Sequence, residues 1–405
     1  MPVIIHVAAW HTSSGSTCVR ERVVSMHRDG TCVRERVVSM HQDGTCVREG
    51  LSEYAWGGKA LQQTRILQLR WVLLLLSVLY VLLFVPLPYV IYEPGLAQEL
   101  TPLVRTEAPA ETGRGAFLLT TVRQTPANVF GYVQAVLSRN RELAKKSDVY
   151  RDGQSRKEYN ELQSVVMQNS QSNAIMAVYR KLGIAYQVRA EKVVVLSVND
   201  RSPSADLLEP GDVIVAVGGD KVRSMDDLRG ALAGRRIGER VALRVERGGK
   251  PVEIEAEVTD LSALHEEVTE PTPGFGISIG EVRGVVPEDE AKRVNISVHD
   301  IGGPSAGLMF ALEIYDRMTP GDLTGGHRIA GTGTIDEQGR VGDIGGVRFK
   351  IVAAGREGAE YFLAPPGNVK EAENKAREAG IDITVVPVRT LDEAIEYIEG
   401  LPPAK

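Results

Sequence analysis

The sequence predicts an α+β chain with a single membrane-spanning helix near the N-terminus, a β-rich domain in the middle and a C-terminal domain of mixed strands and helices. Three observations predict it. About 22 residues at 71–92 carry no charge, enough to cross a bilayer core. Residues 192–258 alternate short β-rich runs with turns. The C-terminal third mixes such runs with apolar segments long enough for helices.

Composition narrows the function classes. The chain has 405 residues, Lys+Arg 47 against Asp+Glu 53 and a formal net charge of -6. No dense basic block of the kind that neutralises phosphates occurs, so no nucleic-acid partner is expected. Cys18, Cys32 and Cys46 are the three cysteines. Everything after them folds without a disulfide or thiolate metal site, and the scattered acids Asp316, Asp322, Asp336 and Asp343 make no metal cluster. No metal or other cofactor is expected.

Residues 17–30 read TCVRERVVSMHRDG; residues 31–44 repeat them with Gln42 for Arg28, and a third copy begins at Thr45. Each unit of about 14 residues is shorter than a solenoid repeat and has too few apolar residues for a core. A Cys/His metal array fails because no second close ligand accompanies either residue type. Residues 1–64 are therefore expected to be disordered or non-native, and those before about Gly50 dispensable. Residues 65–92 are expected to form the membrane helix. Lys59, Arg65 and Arg70 precede it and Glu93 and Glu99 follow, which points the N-terminus into the cytoplasm and the bulk of the chain outside.

Residues 93–113, rich in Pro, Glu and Thr, are expected to be an exposed tether. Within 114–184, GAFLLTTV at 115–122 has strand composition and residues 155–182 carry apolar side chains at helical spacing. Strands are expected at VVVLSV, 212–217, 241–245 and 252–258 across a Gly248-Gly249 turn, with Ser224 capping a small helix at 225–232. Ser202-Pro203-Ser204-Ala205, then Leu208-Glu209-Pro210-Gly211-Asp212-Val213-Ile214 and Val217-Gly218-Gly219, resemble the PDZ domains attached to bacterial proteases. The resemblance covers about 185–260. It implies capture of an extended peptide by strand addition, with the peptide's C-terminal carboxylate held on backbone amides. Leu182-Gly183-Ile184 fits that carboxylate loop and fits a helix end capped by Gly183 equally well.

Gly302-Gly303-Pro304-Ser305-Ala306-Gly307 follows a β-rich run and precedes an apolar helical segment at 308–315, which puts Ser305 at a helix N-terminus. Free amides there can receive an oxyanion. By itself the pattern is more commonly a phosphate-cradling loop or a plain N-cap. The downstream order, Ile329-Ala330-Gly331-Thr332-Gly333-Thr334, Gly339-x-Val341, Ile344-Gly345-Gly346-Val347 and Lys350-Ile351-Val352-Ala353-Ala354, resembles the Lon protease domain over 261–405. The resemblance makes Ser305 the nucleophile and Lys350 its base, with Thr332, Gly303, Pro304 and Ala306 supporting. Gly302 departs from the Asp that many Lon proteases carry there. Ile351 and Val352 suit the dry surroundings that lower a lysine pKa. A histidine base at His299 is disfavoured because adjacent strand residues His299 and Asp300 point to opposite faces, and His327 sits in a Gly-rich turn.

Anchor, PDZ-like unit and Lon-like unit together resemble the YlbL-type PDZ-Lon proteins of bacteria. No Gly-x4-Gly-Lys-Ser/Thr loop occurs in the sequence, so the expected activity is an ATP-independent serine endopeptidase acting on unfolded or flexible protein substrates. The resemblance also implies a homo-oligomer, a hexameric ring. A non-catalytic PDZ adaptor at the membrane, or a small-molecule kinase with a related glycine loop, would leave the Lys350 segment unexplained.

Overall fold

The computed structural model describes the backbone of residues 4–13, 16–27, 30–40, 46–48, 53–54, 58–107, 113–151, 153–264, 268–298 and 301–404, with side chains from residue 67 on. It divides into two units, Met1–Val85 and Pro86–Lys405. In the first, the two repeat copies run as antiparallel neighbours, Ser16–His27 against Gly30–Met40, followed by helix α1, Gly58–Phe84. Its segment Leu67–Phe84 is long and apolar enough to cross a membrane and none of it is buried within the protein. The expected helix at 65–92 is corrected at its end. Pro86 and Pro88 lack the amide that would continue it, and Pro86 also pushes Val85 out of helical space.

Residues 86–92 and much of the expected tether instead enter a sheet. Strand β1 (Pro86–Glu99) is followed by β2 (Val104–Thr106), β3 (Ala116–Asn128), helix α2 (Val129–Leu137), β4 (Glu142–Lys145) and the long helix α3 (Arg156–Leu182). Ser155 starts α3 with a capping box to Glu158, and Gly183, at φ 69°, stops it.

Next come β5 (Tyr186–Val198), β6 (Val213–Val217), α4 (Met225–Leu232), β7 (Arg240–Arg247), β8 (Lys250–Glu257) and β9 (Ile277–Pro287). They form one antiparallel sheet in the order β8-β7-β6-β5-β9. Ser224 caps α4 as expected, and Gly248 and Gly249 take positive φ in the β7–β8 turn. The expected boundary at 261 does not hold: β9 pairs with β5 along its length, Tyr186 opposite Pro287 and Val198 opposite Ile277.

The last part comprises β10 (Val294–Ile296), α5 (Gly307–Met318), β11 (Arg328–Gly331), α6 (Val347–Arg356), β12 (Tyr361–Ala364), α7 (Pro366–Ala379), β13 (Thr384–Pro387) and α8 (Leu391–Glu399). Its sheet runs β13-β12-β11-β3-β1-β4, with β11 parallel to both β3 and β12. Strands from before residue 128 therefore share a sheet with strands after 328. One core joins Phe117 and Leu119 of β3, Val178 and Tyr179 of α3, and Phe310 and Leu312 of α5, while Leu208, Leu243 and Phe275 belong to a separate one. The β5–β9 sheet is an insertion in the chain of the larger α+β body.

Helix α3 bridges the two cores. Asn169 donates through Nδ2 to Glu281 O and accepts through Oδ1 from Arg283 N, so it pairs the β9 edge as a neighbouring strand would. Asn169→Ala leaves both backbone groups without that partner and should lower unfolding free energy by about 1–3 kcal/mol in a urea titration. A change within error would show that water replaces the amide.

Candidate active site

Ser305 stands two residues before α5, next to its N-cap Ala306. Gly303, at φ 87°, lets the chain turn, and its amide donates to Gln163 O of α3 at 3.0 Å. Ser170 Oγ of the same helix donates to Pro304 O at 3.0 Å. Thr332 Oγ1 and Gly333 N both donate to Ser305 O at 2.9 Å. The Ser305 loop is thus clamped from two sides, and the Ser305 and Ala306 amides carry no hydrogen bond among the described residues. A Cβ built at Gly302 would lie 2.7 Å from Gln163 Cβ. The close approach of α3 explains why no side chain stands there.

Lys350 points inward from α6 and is 4% exposed. Its Nζ lies 2.8 Å from Ser305 Oγ and donates to Thr120 O at 2.9 Å. Burial penalises the ammonium and brings the lysine from 10.5 down to about 7. Thr120 is itself held, its Oγ1 donating to Gly331 O. Sequence reasoning singled out Ser305, Lys350, Thr332, Gly303, Pro304 and Ala306, and the fold gathers all six. It missed Thr120, Gln163 and Ser170, which act through backbone carbonyls or on them. The one signal for Thr120 is its position in a buried strand.

An open cleft of about 800 Å³ leads to the pair, walled by Leu96, Thr121, Met167, Ile301 and Phe349. It continues along α3 into a second of about 1040 Å³, with Gln163, Met167 and Ile301 lining both. His299 and Asp300 lie outside the described residues. His327 is occupied elsewhere, its Nδ1 2.8 Å from Glu360 Oε2 and its Nε2 2.7 Å from Pro402 O.

Leu182-Gly183-Ile184 is the end of α3, not a carboxylate loop. Gly183 N donates to Arg180 O, and Leu182 and Ile184 pack on the larger core. A groove of about 370 Å³ instead lies between α4 (Met225, Leu228, Leu232) and Phe275 with the first residues of β9 (Ile277, Ile279). Gly276, at φ 65°, approaches Ser202 so closely that a Cβ would fall 2.7 Å from it. β9 is the edge strand there, and Asn169 closes that edge from Glu281 onward. The overlooked signal was Phe275-Gly276-Ile277, a positive-φ glycine between two large apolar residues.

The sequence matches the PDZ domain family over residues 180–258 and the Lon protease (S16) C-terminal proteolytic domain over 293–399. The Lon protease of Methanosphaera stadtmanae is 36% identical over 101 residues, 24% of this chain and 12% of that protein. Lon protease 2 of Herpetosiphon aurantiacus is 38% identical over 93 residues, 23% of this chain and 11% of its own. This chain spans only about an eighth of the relatives it resembles. The PDZ domain of the SdrC-like protein from Listeria monocytogenes is 27% identical and covers 23% of this chain and 92% of its own, with a TM-score of 0.20. Ser305 and Lys350 fall inside the Lon match, whereas Thr120 and α3 up to Tyr179 precede both matches. One chain therefore joins a PDZ domain to the proteolytic domain of Lon-type serine proteases.

Proposed function

We propose that the chain is a membrane-anchored endopeptidase that hydrolyses flexible protein segments with Ser305 and Lys350, without nucleotide. The observation that carries this is a dry lysine Nζ 2.8 Å from Ser305 Oγ. Neutral Lys350 takes the Ser305 proton as Oγ attacks the peptide carbonyl carbon. The resulting oxyanion lies by the unoccupied Ser305 and Ala306 amides at the positive end of α5. The new ammonium is held by Thr120 O and gives its proton to the leaving nitrogen, so the C–N bond breaks and an acyl ester remains. Water, deprotonated by the same lysine, then cleaves the ester.

The α4–β9 groove supplies binding remote from the cut bond, and α1 places the enzyme at a membrane, with its bulk outside by the charge asymmetry around the helix. Assembly into a ring is the expectation carried by the Lon resemblance.

Ser305→Ala and Lys350→Ala should each cut peptide hydrolysis by at least about 10³-fold, with the double variant scarcely worse, because the pair acts as one unit. Lys350→Arg should be equally inactive, since guanidinium stays protonated. A Lys350→Arg enzyme near the wild-type rate, or an absolute ATP requirement, would overturn the proposal.

The wild-type rate should rise with pH through about 7 as Lys350 loses its proton. Stability follows the same group. Its folded pKa lies below its unfolded one, so the cost of burying it is full below pH 7 and fades as pH rises toward 10.5. Lys350→Met should therefore raise the melting temperature at pH 7 and do little near pH 10.5. An equal shift at both would mean the lysine is not desolvated.

Leu232→Glu, which charges the groove wall, should raise KM for protein substrates and leave turnover of short internal peptides unchanged. Equal losses for both substrates would make the groove structural.

A further inference from the structure

Helix α2 is nine residues long and buries one of them, Ala135. Its outer face is apolar. Phe130 is 49% exposed, Val133 50%, Val136 63% and Leu137 80%. Four large apolar side chains on nine residues make a patch that water does not favour, and no described residue covers it. Nor is the helix loosely hung: Asn128 caps it, accepting from Gly131 N at 2.7 Å, and Ala135 packs with Ile91 and Ala127.

The covalent chain says what lies beside it. Asn128 pairs with Pro86 across β1 and β3. Pro86 follows the last residue of α1, Phe84, by two positions, at most about 7 Å of chain. The N-terminus of α2 is therefore tied to the point where the apolar helix ends. The surroundings have the composition of a bilayer boundary. Tyr89 and Tyr132 stack edge to face at 5.2 Å, and Arg139 and Lys145 are exposed beside the patch, Lys145 opposite Tyr89 on β4.

We propose that α2 is a membrane-surface helix, lying with its Phe130, Val133, Val136 and Leu137 face in the headgroup–acyl boundary of the same bilayer that α1 crosses. This rests on the anchor reading of α1, and the ligand is the lipid surface itself. A short helix of this kind binds weakly alone; tethered within a few residues of a spanning helix, its local lipid concentration is high and the docked state dominates. Docking would fix the orientation of the β1–β3 sheet, and with it the cleft, relative to the membrane.

The test uses the full chain in nanodiscs containing anionic lipid, with Cys18, Cys32 and Cys46 changed to Ser and one environment-sensitive fluorophore at a single new cysteine. The sites are Leu76→Cys in α1, Val133→Cys and Leu137→Cys in α2, and Ile237→Cys in the PDZ domain, which is 50% exposed. Lipids carrying spin labels near the headgroup should quench Val133 and Leu137 about two-fold or more and leave Ile237 bright, while water-soluble iodide does the reverse. Leu76, probed with labels deeper in the chain, reports the anchor independently. If Leu76 is quenched by lipid and both α2 sites behave like Ile237, the helix faces water and the proposal fails with the anchor intact. If the α2 sites resist both quenchers, another protein surface covers the patch, and the proposal also fails. If Leu76 itself escapes lipid quenching, the anchor reading falls and takes this inference with it.

Discussion

The arrangement turns on one constraint: a lysine must be kept out of water yet within hydrogen-bond reach of a serine. Depressing Lys350 from 10.5 to about 7 corresponds to a penalty on the order of 5 kcal/mol against the solvated ammonium. The rest of the α+β body holds it there. α6 packs Val347, Ile351 and Ala354 on Leu118 and Ala330, and the adjoining core, with Phe117, Phe310 and Leu312, seals the far side. At Gly331 a Cβ would sit 2.6 Å from Met309 Sδ and 2.9 Å from Leu363 O. Close packing around Lys350 tolerates no extra methyl at that point.

α3 is the second wall, and its polarity is its use. Gln163 and Ser170 hold the Ser305 loop, Asn173 Nδ2 donates to Ile335 O, and Asn169 and Ser172 bond the backbone of β9. A helix carrying so many internal polar groups has no clear apolar stripe, and each group is instead satisfied by backbone on one side or the other. The α4–β9 groove and the Ser305 loop are thus both fastened to α3. Whatever binds beside Ile277 and Ile279 meets a strand whose continuation is fastened to the helix that positions Ser305.

Local chemistry was legible in the sequence; distant pairing was not. The Ser224 cap, the Gly248-Gly249 turn and the order of glycines around Ser305 and Lys350 each leave a signal within a few residues. β1 is hidden because residues 86–92 read as the end of the apolar helix and Pro94 and Gly95 read as tether, yet the ladder accommodates the prolines with register shifts between Pro86 and Val90 and between Pro94 and Ala97. β9 was assigned to the wrong domain since its partner β5 lies some eighty residues earlier and nothing local announces the pairing. Thr120 was missed because its contribution to Lys350 is a carbonyl, which every residue has.

The course of β1 runs from the end of the apolar helix to the strand that holds Lys350. Its first residue follows the end of the apolar helix, and Ala97 pairs with Thr120, whose carbonyl holds Lys350. Eleven residues of strand span at most about 35 Å. The distance along a hydrogen-bonded strand is fixed in a way that a flexible tether's is not.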